Sequence, residues 1–412
     1  MMNEHAFQQL WAQHAKEWSN LVTTEGDPVA IIHPGILNHD QGPDFKNAHI
    51  KIGSTEWFGN IELHLKTSDW YKHGHMDDPK YQNIILHVVW IHDHNSFNQS
   101  PVLEMLHFIG DERSDKELIF SINPLRCTNF SKKRATVHFS FLEQCVVTRF
   151  KRKVDQIFDR LKKTHGNIEQ VAWELLARSF GYQANAECFE SIARSIPFHL
   201  IRKYAGDTHT LEALLLGQAG LLPKTPQDLY VQFLLERYFD LIGKYNLQPI
   251  HCTPVFLRMR PVNFPTIRLV QLASLISNHY DLIEKLHTLH TIRDLKDLFS
   301  IHLTPYWLEH YIPDRLSKKT SKKIGTTLIN SCIINVFIPL RLSLKKRRGE
   351  GDWKPEDLEW LRNLRPEHSK TIELFQKAGI APSNGYESQA FLELYDQRCI
   401  KGNCKGCTFD TN

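Results

Sequence analysis

Two acidic residues near the N-terminus of the 412-residue chain stand in a pattern that could hold a metal ion. Asp44 follows a Gly-Pro pair at the start of one β-like run, and Glu62, His64 and Lys66 alternate along the next. Successive side chains of a strand point to opposite faces, so these last three are predicted to share one face. The apolar residues between them would pack on the other face.

A hairpin would bring the two carboxylates together. We predict that runs 48–52 and 57–65 pair around a turn near Gly53, which places Asp44 close to Glu62 and His64. Carboxylate oxygens suit Mg²⁺ or Mn²⁺, and such an ion can polarise a phosphodiester and lower the pKa of an attacking water. A neighbouring His or Lys can orient that water or stabilise developing charge.

More polar residues follow this pattern. Asp69, His73, His75 and His87 include a His-x-His pair that could ligate Zn²⁺ or Mn²⁺ and hydrolyse a substrate other than nucleic acid. The alternative interpretation is structural. In it Asp69 caps a helix, the His-x-His pair lies on an exposed loop, and His87 is a hydrogen-bonded core residue.

Three cysteines close the chain in a C-x4-C-x2-C pattern, Cys399, Cys404 and Cys407. Closely spaced thiols flanked by Gly and Lys can wrap a Zn²⁺ ion or an iron–sulfur cluster, and Cys127 is the candidate for the fourth ligand. The alternative is three unligated thiols at the terminus. The remaining cysteines lie in apolar runs and are predicted to be buried thiols rather than disulfides: Cys145, Cys188, Cys252 and Cys332.

Arg258, Arg260 and Arg268 surround two prolines just before a predicted helix. Arginines at a helix entry can bind phosphate oxygens, so this segment is a candidate nucleic-acid clamp. The alternative is that these arginines pair with acidic residues of the protein itself.

The elements that must position these residues divide the chain. Short β-like runs rich in Val, Ile and aromatics extend to about residue 125, and long stretches with helical spacing of apolar residues begin at about residue 139. We predict an α+β protein with a mixed α/β domain at 1–130, an all-α domain at 131–395, and a metal-binding cysteine segment at 396–412 that packs back on the fold.

Composition indicates a globular chain. Apolar residues make up 42% and charged residues 23%, which excludes disordered and fibrous classes, and the net charge of +4 is too small to name a partner by itself. The N-terminus does not resemble a secretory signal, so we expect a cytoplasmic protein. The apolar stretch 328–340 contains Asn and Pro, and we expect neither a transmembrane helix nor a membrane partner.

The N-terminal pattern resembles the PD-(D/E)xK nuclease superfamily. That fold has an initial helix, a strand that carries the Asp, and a following strand that carries Glu-x-Lys; Asp44 and Glu62 match, but His64 stands where Lys is usual, with Lys66 as a replacement. The superfamily often adds a Glu from the first helix, for which Glu17 is the candidate. Some of its nucleases join one early and three late cysteines around an iron–sulfur cluster, an order similar to this one.

Segments spread over nearly the whole chain resemble a bacterial family known as domain of unknown function 2851. They are PGILNHDQGPDF (34–45), WFGNIELH (57–64), SDWYKH (68–73), ILHVV (85–89), EALLLGQAG (212–220), RMRPVNFP (258–265) and ESQA (387–390), with the terminal cysteines. This family implies no activity. Together with the site residues, the resemblances predict a metal-dependent nuclease or nuclease-like nucleic-acid-binding protein. The alternative is a non-catalytic scaffold with a degenerate nuclease fold and a structural zinc or iron–sulfur site.

Overall fold

The structure is a computed structural model that describes residues 4–38, 42–72, 81–94, 100–106, 125, 139–248, 250, 252–257, 259–289, 291–351, 353–400 and 407. The chain forms two compact units. One comprises Met1–Thr128 with Arg398–Cys404, and the other comprises Asn129–Gln397 with Lys405–Asn412. The first holds a mixed sheet and the second is mostly helical, which confirms the predicted division into a sheet domain followed by a helical part.

The N-terminal unit is built around a seven-stranded sheet. Its elements are α1 (Glu4–His14), β1 (Leu21–Val22), β2 (Pro28–His33), β3 (Ile36–Leu37), β4 (Phe45–Ile52), β5 (Thr55–Lys66), α2 (Asp69–Lys72), β6 (Ile84–Ile91) and β7 (Val102–Glu104). The strand order is β1-β2-β4-β5-β6-β7, and β3 pairs with the beginning of β4. The strands from β1 to β5 pair antiparallel, whereas β5, β6 and β7 run parallel.

The predicted hairpin of β4 and β5 is confirmed. Ile52 pairs with Thr55 across a turn that contains Gly53, whose φ of +59° is favourable for a residue without a side chain. At the other end Phe45 pairs with Ile61. This register brings the residue before Phe45 next to the middle of β5.

Helix α1 packs against β5 and β3. Phe7, Leu10 and Trp11 recur at helical spacing and are at most 1% exposed, because they cover the apolar face of the sheet. Burying each such side chain stabilises the unit by about 1.5–3 kcal/mol. Positions 4 and 8 lie beside these buried residues on the helix, and Gln8 reaches Asp44, the residue before β4.

The second unit contains thirteen helices among the described residues, numbered here in chain order. They are α3 (Phe139–Lys163), α4 (Ile168–Phe180), α5 (Tyr182–Ser195), α6 (Phe198–Lys203), α7 (Thr208–Gln218), α8 (Leu229–Tyr245), α9 (Pro265–Asn278), α10 (Leu282–Thr288), α11 (Ile292–Asp297), α12 (Pro305–Glu309), α13 (Thr326–Arg347), α14 (Lys370–Lys377) and α15 (Gly385–Leu394). Short 3₁₀ segments lie at Pro261–Asn263 and Pro355–Asn363, a π turn at Tyr395–Cys399, and a two-stranded ribbon, β8 (His310–Ile312) with β9 (Arg315–Leu316), follows α12.

Helices α7 and α9 form the centre of this unit. They contact each other, and nearly all their residues are buried, as is typical of helices surrounded by others. The longer α3 is amphipathic, with Phe150, Val154 and Ile157 on its buried face. This core is separate from the core of the sheet unit.

Helix α13 contains the apolar stretch 328–340. Thr326–Arg347 is long and apolar enough, by length and composition alone, to cross a membrane. However, 72% of its most apolar window is buried inside the protein, which is typical of a core helix. A π turn at Ile333–Phe337 interrupts its α-helical hydrogen bonding just before Pro339, whose backbone nitrogen has no N–H to donate.

Two of the cysteines predicted to be buried thiols instead form a disulfide. Cys188 of α5 and Cys252, in the segment after α8, have Cα atoms 5.6 Å apart and bonded sulfurs. The segment is held against α5 because Asn185 donates to the Val255 carbonyl and accepts from its N–H. A separation of 64 residues gives no sequence signal for this proximity.

Candidate active site

Asp44 and Glu62 meet through reciprocal hydrogen bonds. The N–H of Asp44 donates to Glu62 Oε2 at 2.9 Å, and the N–H of Leu63 donates to Asp44 Oδ2 at 3.0 Å. Each carboxylate is therefore held by the main chain beside the other. The predicted convergence of the two acidic residues is present, and it follows from the pairing of β4 with β5.

The loop before β4 is fixed on its own account. Asn38 donates its N–H to the Asp44 carbonyl at 2.6 Å and its side-chain amide to the Pro43 carbonyl at 2.9 Å. Gly35 has a φ of +89°, and a Cβ there would lie 2.9 Å from the Cβ of Phe45. Close approach of the two backbone segments therefore requires glycine at this position.

A β-bulge lies directly after Asp44. The pairing shifts between Phe45 and Ala48, and Asn47 takes a positive φ of 57° with its N–H directed at Asn60 Oδ1, 3.3 Å away. Bulges turn a strand locally and re-aim its side chains, and they recur beside active sites. Here the bulge ends regular pairing next to the carboxylates.

Both carboxylates have raised pKa values. Burial raises the pKa of Glu62 to about 9, and repulsion from Asp44 adds to this effect. Burial likewise raises the pKa of Asp44 to about 6, although hydrogen bonds from Leu63 and Gln8 oppose the shift. Burial and mutual repulsion thus oppose ionisation of the two carboxylates together. A cation beside them would favour the ionised pair.

Helix α1 contributes to the site through residues that the sequence did not reveal. Gln8 donates from Nε2 to Asp44 Oδ1 at 2.7 Å, and the charge of Glu4 raises the pKa of both site carboxylates. Glu17, the residue predicted to act from this helix, lies after its end, has a largely exposed side chain and contacts His14 at 2.8 Å. The four-residue spacing of Glu4 and Gln8, beside the buried apolar positions, was the available signal.

His64 lies behind Glu62 and is fully buried. Its Nε2 is 3.7 Å from Glu62 Oε1, and its Nδ1 is 2.9 Å from Nε2 of His87, which is also fully buried, on β6. The ring of Trp70 on α2 contacts both imidazoles. A proton on one of the two facing nitrogens satisfies both, so the two imidazoles fix each other's orientation beside Glu62.

Lys66 and Asp69 lie where β5 ends. The side chain of Lys66 is half exposed, and its ammonium lies 4.0 Å from Asp93. The main-chain N–H of Lys66 donates to Asp69 Oδ2 at 3.1 Å. Asp69 is the first residue of α2 and also accepts from Lys72. In the structure, therefore, these two residues order the turn between β5 and α2.

The donor set at the carboxylates suits one kind of metal. Among the described residues, no group of three or more His, Cys, Asp or Glu side chains is arranged to hold an ion. Two carboxylates are too few for a closed Zn²⁺ site, but Mg²⁺ is commonly bound by one or two carboxylates with water and substrate phosphates completing its shell. Asp44 is partly exposed, so water can reach this pair.

Several other predicted site residues lie outside the described part of the chain. These are His73, His75, Cys127, Cys404 and Arg258. Cys399 and Cys407 are half-buried. The zinc or iron–sulfur site of the cysteines accordingly stays a prediction.

The two described arginines of the proposed clamp differ in exposure. Arg260 is exposed, whereas Arg268 is only 4% exposed and donates to the side-chain oxygens of Gln271, Asn263 and Tyr182. Burial lowers the pKa of Arg268. No carboxylate of the described residues forms an ion pair with this cation.

Comparison with family models supports the resemblance to domain of unknown function 2851 that the sequence segments indicated. A family model described as Protein of unknown function (DUF2851) matches residues 4–370. Comparisons with curated proteins and with solved structures find no match. Because the family model spans nearly the whole chain, this protein belongs to the DUF2851 family.

Proposed function

We propose that this protein is a metal-dependent phosphodiesterase of the nuclease class, with its site at Asp44 and Glu62. The observation that carries the proposal is a pair of main-chain hydrogen bonds. The N–H of Asp44 holds the Glu62 carboxylate, and the N–H of Leu63 holds the Asp44 carboxylate beside it. Two buried acids that repel each other and reach solvent on one side form a site that a divalent cation would stabilise.

The order of elements supports a nuclease-like fold. A helix precedes the sheet, Asp44 opens one strand, and Glu62 and His64 lie on the next, antiparallel strand, as the resemblance to PD-(D/E)xK nucleases implies. A short helix, α2, then lies in the connection to the parallel strand β6. This arrangement places the two acidic positions at the same point of the sheet.

In this proposal Asp44 and Glu62 would hold Mg²⁺ or Mn²⁺. The ion, when bound, would neutralise charge on the phosphodiester and lower the pKa of an attacking water. The carboxylate oxygens that already accept N–H groups retain further lone pairs for this role. Gln8 fixes the rotation of the Asp44 carboxylate, since its amide is bonded to Oδ1.

His64 is a positioning residue in this proposal. It is fully buried, so it does not reach bulk water, and its Nε2 faces the Glu62 carboxylate at 3.7 Å. The contact with His87 orients the ring, in the manner of the outer partners that orient metal ligands elsewhere. His64 would hold Glu62 in place and favour its ionised form.

Cleavage assays test the proposal directly. The full-length protein is incubated with plasmid DNA, single-stranded DNA and RNA in Mg²⁺ or Mn²⁺, and compared with Asp44→Asn and Glu62→Gln. Both substitutions keep the size and shape of the side chain but remove the charge. We expect cleavage that requires the divalent ion and falls by about 100-fold or more in either variant.

Glu56→Gln provides the matched control, because Glu56 is an exposed carboxylate on the same strand. This variant should cleave like the wild type. Equal cleavage by the wild type and both site variants, or cleavage that persists in EDTA, contradicts the proposal. Absence of cleavage from every protein favours the alternative of a non-catalytic scaffold.

A further inference from the structure

A second site candidate lies in the helical unit, in a cavity of about 630 Å³. Its charged lining residues are the cations Arg260, Arg268 and Lys323, and no acidic residue lines it among the described part of the chain. Uncharged polar residues and apolar residues form the rest of the wall, and Met259 and Val262 are its accessible apolar residues. Cavities of this size accommodate small organic ligands.

Three helices begin at this cavity. Its lining includes Gly181 and Tyr182 at the start of α5, Pro265 at the start of α9, and Gly325 directly before α13. In none of these three helices does a side chain cap the first turn. A helix N-terminus carries roughly half a positive charge and uncommitted N–H groups, so three together favour an anion.

Arg268 supplies the independent observation. The residue is only 4% exposed. Among the described residues it forms no ion pair with a carboxylate, and its hydrogen bonds go to the neutral oxygens of Gln271, Asn263 and Tyr182. Its Nε has no hydrogen-bond partner in the same described part of the chain. A buried cation without a counter-ion is costly, and an anion in the cavity that Arg268 lines would compensate it.

The backbone is also strained at the cavity wall. Tyr182 has a φ of +49°, a conformation that bulky residues rarely adopt. Its hydroxyl accepts from Arg268, and its ring lies 5.0 Å from the guanidinium carbon. Such strain persists where the surrounding structure requires it, and it recurs at ligand sites. Here it places the tyrosine beside the cation.

We propose that this cavity binds a phosphorylated small molecule of mononucleotide size, with its phosphate at Arg268 and the three helix N-termini and its apolar or aromatic part against the accessible Met259 and Val262. A compact dianion matches several converging positive groups better than a single carboxylate does. Arg260 and Lys323 are exposed at the rim, where they would attract the ligand. The inference is independent of the carboxylate site.

Calorimetric titration of the full-length protein tests it. The probes are inorganic phosphate, adenosine monophosphate, adenosine and a 12-nucleotide DNA without terminal phosphates. All titrations contain EDTA, so that no metal ion is bound at the carboxylate site. Phosphate and the monophosphate are expected to bind and adenosine is not. Affinity for the monophosphate should exceed that for phosphate if the apolar wall contributes.

The variants are Arg268→Gln and the double variant Arg260→Gln/Lys323→Gln, with Lys318→Gln as the control for an exposed lysine outside the cavity. Arg268→Gln should weaken monophosphate binding by about tenfold or more, the double variant by less, and the control not at all. Circular dichroism checks that Arg268→Gln folds. If it does not, the double variant still tests the cavity, because it changes only exposed side chains.

Three results would overturn the proposal. The first is absence of binding by phosphate and monophosphate at millimolar concentration. The second is equal affinity in the wild type and in every folded cavity variant. The third is tight binding of the unphosphorylated DNA without binding of the monophosphate, which would assign these cations to a nucleic-acid surface. Loss of cleavage in the Asp44 and Glu62 variants has no bearing on any of them.

Discussion

Glu62 in the sheet unit and Glu190 in the helical unit are equally buried but have opposite pKa shifts. Glu62 is 4% exposed and its pKa is raised by burial and by Asp44. Glu190 is 6% exposed, yet hydrogen bonds from Arg160 and Arg178 outweigh the effect of burial and lower its pKa. Arg178 and Arg194 each approach its oxygens at 2.8 Å.

The difference separates structural from functional burial. The charge of Glu190 is compensated by the protein itself, so its position needs nothing further. The carboxylate of Glu62 is instead repelled by that of Asp44, and its Oε1 lies 3.7 Å from Nε2 of His64. A buried group whose pKa is strongly shifted by burial and by a like charge is a candidate for ligand binding. Arg268, a buried cation bonded to neutral oxygens, is the corresponding case of opposite sign in the helical unit.

Neutralising the two glutamates should change stability in opposite directions. Glu190→Gln leaves Arg160 and Arg194 with Glu174, at 3.8 Å, as their remaining carboxylate among the described residues. It should lower the free energy of unfolding by about 1–2 kcal/mol, a modest figure because the arginines are partly exposed. Glu62→Gln removes the cost of protonating this carboxyl on folding at pH 8, where the unfolded chain has it ionised, and should raise the melting temperature of the metal-free protein by roughly 2 °C or more. Thermal unfolding in EDTA measures both.

The pH dependence sharpens this comparison. Because the pKa of Glu62 is raised from 4.5 to about 9, the folded state binds a proton that the unfolded state releases between these values. The stability of the wild type should therefore fall as pH rises through this window, and the gain in Glu62→Gln should grow. Glu187→Gln, an exposed change on the helix of Glu190, is the control. A destabilised Glu62→Gln at pH 8 would show that the fold already compensates this carboxylate.

A smaller effect is expected at His64. His64→Asn removes the ring that faces Glu62, so Mn²⁺ affinity should fall by roughly tenfold and the pH of half-maximal binding should move upward. The pH shift separates positioning of Glu62 from a general loss of packing. His49→Asn, which alters a histidine of β4 that contacts Glu56, should leave both quantities unchanged. An unchanged pH midpoint in His64→Asn would remove the positioning role.

The local parts of the fold were predictable from sequence. Alternation along β5 and the turn at Gly53 fix the hairpin, and the hairpin alone brings Asp44 to Glu62. Long helices such as α3 and α8 also follow from apolar periodicity. Short elements did not, because β1, β3 and α6 have two, two and six residues and depend on partners distant in the chain for their stability.

Contacts between distant segments could not be read from the sequence either. Gln8 reaches Asp44 across 36 residues, and Cys188 bonds Cys252 across 64. The sequence places Arg268 near two prolines at a helix entry, which favoured a nucleic-acid clamp. It does not show how α9 packs, and this packing buries Arg268. In each case the residue types were informative and the tertiary surroundings decided their roles.

The central claim is that Asp44 and Glu62 together bind one divalent cation. Titration of the metal-free protein with Mn²⁺, followed by electron paramagnetic resonance, counts bound ions directly. The account predicts a site at one ion per chain that is lost in Asp44→Asn and in Glu62→Gln and retained in Glu56→Gln. Undiminished Mn²⁺ binding in either site variant would contradict it.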